Sequence, residues 1–175
     1  MFGIALALVS STGGAPMDIG VAGVFYMDKV DTLSYTYYGV EAEFLAQIYM
    51  EQIYLRTGVA YFLKDSSTSW MGAGTGVGGG ATSVDAMFFF AKQKSGKLKP
   101  CLYAFGGFYF WKMEDFSNYG VKLGAGFSYP MGKKGPKFFV EGGVAPDIYS
   151  APDPIGSTTT MTLFGRGGAR FSILR

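Results

Sequence analysis

Polar and apolar residues alternate with a period of two along most of the chain, and no helical period competes with it. In 36–48, Thr36, Tyr38, Val40, Ala42, Phe44, Ala46 and Ile48 fall on one side. Tyr37, Gly39, Glu41, Glu43, Leu45 and Gln47 fall on the other. In 52–63, Ile53, Leu55, Thr57, Val59, Tyr61 and Leu63 alternate with Gln52, Tyr54, Arg56, Gly58, Ala60 and Phe62. Segment 119–129 sets Val121, Leu123, Ala125, Phe127 and Tyr129 against Lys122, Gly124, Gly126 and Ser128. Segment 160–173 sets Met161, Leu163, Phe171 and Ile173 against Thr160, Thr162, Phe164, Arg166, Gly168 and Arg170. Three weaker patterns cover 17–27, 81–91 (Asp85 opposite Val84, Ala86, Phe88 and Phe90) and 136–146 (Glu141 opposite Phe138, Val140 and Val144). Segment 100–112 is apolar on both faces, so its sides are not assigned.

These segments predict eight strands from residue 17 onward, most of them ten residues or longer. Strands of soluble domains average about 5–6 residues, whereas a tilted strand crossing a bilayer needs about 9–11. A strand row in hydrocarbon tolerates no bare N–H or C=O, so only closure removes its edges. The expected fold is therefore all-β: a closed antiparallel up-and-down transmembrane β-barrel of eight strands over 17–175. Residues 1–16 (MFGIALALVSSTGGAP) read either as a remnant of a secretory signal or as an extra N-terminal strand. The eight-strand count sets them apart.

The expected connections are 28–33, 50–51, 64–80, 92–99, 113–118, 131–135 and 147–158. Those at 50–51, 92–99 and 131–135 are compact, while the other rim holds the two longest, as in outer-membrane barrels. Charge segregates with them. Lys92, Lys94, Lys97, Lys99, Lys133, Lys134 and Lys137 edge the compact turns, against Glu51. Asp28, Asp31, Asp65, Glu114, Asp115, Asp147 and Asp153 edge the longer loops, against Lys29 and Lys64. Tyr35, Tyr37, Tyr38, Tyr49, Tyr54, Tyr61, Phe62, Tyr109, Phe110, Trp111, Tyr129 and Phe171 cluster toward strand ends, where aromatic girdles of a membrane barrel are expected.

Composition narrows the chemistry. The chain has 175 residues, 27 of them Gly, with a net charge of +2. Its charged fraction is 16%, below the ~25% of ordinary soluble domains. That balance gives no support for nucleic-acid binding. Without His there is no Ser-His or Cys-His nucleophile and no His-ligated zinc. The single Cys101 forms no intramolecular disulfide and reads as a small apolar filler. No catalytic residue, metal site or cofactor is assigned.

The polar face would hold Glu41, Glu43 and Glu141 with Arg56, Lys122, Arg166 and Arg170. An eight-stranded barrel has a lumen just wide enough for side chains to fill, so these charges are expected to pair there. Gly39, Gly58, Gly124, Gly126, Gly143 and Gly168 suit so narrow a space. Glu41 and Glu43 stand two apart on one strand face, a spacing that lets a carboxylate pair approach, but a sealed lumen offers no substrate cleft for acid–base chemistry.

Four stretches, 37–63, 95–111, 119–144 and the last strand, resemble the small outer-membrane β-barrel proteins of the OmpA/OmpX type. The tail is the most specific: Arg166, Gly168, Phe171 and Ile173 fit the family's assembly signal in order, although Leu174 and Arg175 follow where many members stop at a terminal Phe. The resemblance implies a monomeric or weakly associating barrel in the outer membrane of a Gram-negative bacterium. It also implies contact with membrane lipids, including lipopolysaccharide, and with the outer-membrane assembly machinery. Lipid-modifying members of this shape use His, which the chain lacks.

Three functions follow from these readings. The first is a non-enzymatic barrel that binds a surface partner through its longer loops, with Trp70 and Met71 in 64–80 as contact candidates. The second is a small pore for ions or solutes. The third is a soluble lipocalin-like barrel that turns its apolar face inward around an apolar ligand.

Overall fold

The computed structural model describes residues 16–30, 33–63, 79–92, 99–113, 116–132, 135–150 and 157–174. Eight strands account for nearly all of them: β1 (Met17–Val30), β2 (Leu33–Tyr49), β3 (Ile53–Phe62), β4 (Gly79–Phe89), β5 (Cys101–Met113), β6 (Phe116–Pro130), β7 (Lys137–Ser150) and β8 (Ser157–Leu174). Each pairs antiparallel with the next, and β8 returns to β1 to close the barrel. The predicted all-β up-and-down fold is the observed one. Segment 1–15, Trp70 and Met71 lie outside the described residues, as do Lys64, Asp65, Lys94, Lys97, Lys133 and Lys134. So do Asp31, Glu114, Asp115 and Asp153.

Strict alternation sorts the side chains. Val21, Val40, Tyr61, Leu102, Phe108 and Val140 stand exposed on the outer wall, Phe108 at 72%. Glu41, Arg56, Lys122 and Arg166 are buried on the inner one. A soluble barrel would show the reverse arrangement. Burying ionic groups inside while leaving rows of Val, Leu and Phe outside is favourable only where the surroundings are hydrocarbon.

Pairing resolves segment 100–112. Cys101, Tyr103, Phe105, Tyr109 and Trp111 point inward; Leu102, Phe108 and Phe110 point outward. This corrects part of the expected girdle. Tyr38, Tyr49, Tyr61, Phe110, Tyr129 and Phe171 are exposed on the outer wall, but Tyr54, Phe62, Tyr109 and Trp111 are buried. Nearness to a strand end does not decide the face; parity does.

The expected 147–158 loop is also shorter. Asp147 belongs to β7, opposite Thr160 of β8, and the ladder runs on to Ser150 and Ser157. Asp147 is 2% exposed, an inner-wall residue and not a rim charge. Lys137, expected at a turn edge, lies on β7 and pairs with Asp18. The β2–β3 connection places both Met50 and Glu51 at positive φ, 50° and 56°.

Candidate functional site: the charged lumen

The register brings charges from both ends of the sequence to the middle of the barrel. Arg56 on β3 faces its neighbour Asp85 on β4, with Nε donating to Oδ2 at 2.8 Å. It also reaches across the lumen, where Nη1 donates to Glu141 of β7 at 2.7 Å. Arg166 of β8 pairs with Glu41 at 2.5 Å, with Glu43, and with Glu141 at 3.1 Å. Arg170 meets Glu43 at 2.6 Å and Glu141 at 2.7 Å. Lys122 of β6 lies 3.0 Å from Asp85. The Tyr103 hydroxyl of β5 donates to Glu141 at 2.6 Å. The guanidinium planes lie over rings: Arg56 over Phe105 at 4.6 Å and Arg170 over Phe139 at 3.8 Å.

All seven lumen residues read from the sequence therefore lie on the inner wall, each in at least one ion pair. Asp85 is the eighth member and makes the centre four carboxylates against four cations. The pattern had set it opposite the apolar side of β4; that parity alone would have added it. Such a network removes much of the penalty of burying each charge, because every ion has a partner of opposite sign.

Glycine makes the room. A Cβ at Gly126 would come within 2.6 Å of both Glu141 and the Tyr103 ring. One at Gly20 would meet Glu43 at 2.5 Å, and one at Gly107 would lie 2.6 Å from the Asp85 Cα. At Gly58 it would strike the Glu41 carboxylate. Each of the four central carboxylates thus sits in a notch cut by a glycine on an adjacent strand.

Two smaller polar clusters flank the centre. Asp18 of β1 accepts from Lys137 of β7 and, at 2.7 Å, from Ser172 of β8. Toward the longer loops, Asp147 accepts from Asn118 at 2.9 Å and from Thr160. An aromatic layer adjoins that end: Trp111 lies 4.7 Å from Tyr37, 4.9 Å from Phe62 and 5.8 Å from Tyr26, ring to ring. The alternation had not singled out these clusters, since single Asp and Lys residues near strand ends look like rim charges.

In the tail, Arg166 and Gly168 face the lumen, while Phe171 and Ile173 are each 49% exposed on the outer wall. Among the described residues no group of three or more His, Cys, Asp or Glu side chains is placed to hold a metal ion.

An apolar mantle around a paired ionic interior defines an integral membrane β-barrel. No protein-family model matches the sequence, and no curated protein is significantly similar to it. Solved structures do match. A major outer membrane protein from Thermus thermophilus superposes with a TM-score of 0.56 at 13% identity, covering 91% of this chain and 99% of that one. Neisserial surface protein A gives 0.55 at 12% identity, over 89% and 96%. The chain has the fold of the small outer-membrane β-barrels.

Proposed function

We propose that the protein is a non-enzymatic barrel of a bacterial outer membrane, with a lumen plugged by its own side chains and a surface-binding role carried by its longer loops. The observation that carries the reading is the fully buried Arg56, paired on both sides of the lumen, inside a wall whose outer face is apolar. A guanidinium paired with Asp85 beside it and with Glu141 across the lumen supports a side-chain plug at that level. The barrel then serves as a rigid stage, and function passes to the loops. The connection between β3 and β4, with Trp70 and Met71, is the contact candidate. Its partner is a surface molecule or lipopolysaccharide, the barrel is a monomer, and Arg166, Gly168, Phe171 and Ile173 are read by the assembly machinery. One similar structure is that of Neisserial surface protein A.

Two measurements test this reading. In planar bilayers the purified protein should give no steady single-channel conductance; currents that respond to Arg56→Gln would replace the plug with a pore. Deleting 66–78 should leave the heat-modifiable folded band on gels and abolish binding to lipopolysaccharide vesicles or to cells. Loss of the folded band would argue against a role confined to the loop.

A further inference from the structure

Inner-wall charge is divided along the sequence. Among the described residues, β1–β4 carry Asp18, Glu41, Glu43 and Asp85 with Arg56 as the one cation. Strands β5–β8 carry Lys122, Lys137, Arg166 and Arg170 against Glu141 and Asp147. One half of the wall is acidic and the other basic, and the two meet where β8 closes on β1. The ion pairs Asp18–Lys137, Glu41–Arg166, Glu43–Arg166 and Glu43–Arg170 all cross that seam.

Backbone pairing does not choose the register there. At the middle of the seam Val21, Ala22 and Gly23 face Ala169, Gly168 and Gly167, which have little to interlock; side-chain packing is confined to one end, where Phe25 lies over Gly165 and Tyr26 stacks on Phe164. Strands this rich in glycine specify register weakly. A slip of two residues, about 7 Å along the strand, keeps every side chain on its proper face. It would, however, bring Arg166 or Arg170 to the site of Gly168. A Cβ there would lie 2.7 Å from the Ala22 Cα, so that site admits no side chain. The same slip would pull the arginines off Glu41 and Glu43.

We infer that the Arg166–Gly168–Arg170 pattern, with Glu41, Glu43 and the Asp18–Lys137 pair, fixes the register in which the barrel closes. The acidic half draws in the basic one, and only the native alignment satisfies both charge and clearance. The inference concerns closure and is independent of what the loops bind.

Cross-linking tests it in the full chain carrying Cys101→Ala, refolded into detergent or lipid. Val21→Cys with Ala169→Cys reports the native register. Val21→Cys with Gly167→Cys, or with Phe171→Cys, reports a slip of two. Wild-type charges should give the native cross-link alone. Arg166→Gly with Arg170→Gly, which removes both the charges and the Cβ that a slip would bring to the Gly168 site, should transfer at least a tenth of the product to a slipped pair; native cross-linking alone in that variant, folded and at full yield, overturns the inference. Because those arginines are buried, the more peripheral pair supplies a second test. In that glycine background, Asp18→Lys or Lys137→Asp should each add slipped product, and the two together should return it to the background level. A double variant that slips as much as either single one also overturns it.

Discussion

Glu141 illustrates how one residue's surroundings set its role. It accepts from Arg56, Tyr103 and Arg170 at 2.6–2.7 Å, and the room for it comes from Gly126 on the next strand. Gly126 and Gly142 differ in what a methyl group would meet. At Gly126 it would press on Glu141 and Tyr103; at Gly142, on the outer wall, the nearest atom lies 3.6 Å away. Gly126→Ala should cost about 1–3 kcal/mol through overpacking. Gly142→Ala should be neutral or gain about 0.5 kcal/mol, since alanine loses less backbone entropy. Urea unfolding in micelles compares the two, and equal effects would remove the notch argument. At this scale the sequence was informative about which face each charge takes. It was silent about which partners meet, because Arg56 and Glu141 stand 85 residues apart and only closure brings them together.

Strands were legible because their alternation is long and nearly unbroken. Boundaries were less so. Asp147 looked like a loop charge because nothing local shows that the ladder continues past the apolar run; its partner Thr160 sits on another strand. Segment 100–112 carried aromatics on both faces, and only pairing to β4 and β6 assigned them. The tight β2–β3 turn has a property that residue type conceals. Met50 and Glu51 both adopt left-handed backbone, where Asn-Gly is the favoured pair. Met50→Asn with Glu51→Gly should therefore stabilise the folded barrel by about 1–3 kcal/mol, the usual cost of a single residue held in that conformation. An unchanged or lower unfolding midpoint would show that the turn's side chains matter more than its φ angles.

For the molecule as a whole, polarity is inverted relative to a water-soluble barrel, and that inversion has a salt signature. Exposed pairs weaken as the Debye length falls to about 3 Å at 1 M salt, whereas buried pairs are screened far less. The network here is buried, with Arg56, Asp85 and Glu43 side chains at 0% exposure. Raising sodium chloride from low concentration to 1 M should leave the unfolding midpoint in uncharged detergent almost unchanged. A steep fall would mean that solvent ions reach the lumen.

Trp111 has a practical consequence of its own. Only 1% exposed, it faces away from the bilayer, among Tyr37, Phe62 and Tyr26. In a Trp70→Phe chain, which leaves it as the sole indole, its emission should be blue-shifted yet resist quenching by brominated acyl chains. Intrinsic fluorescence of this protein would then time the collapse of the barrel's interior, and insertion into lipid would need a dye placed on the outer wall, for example at Phe108.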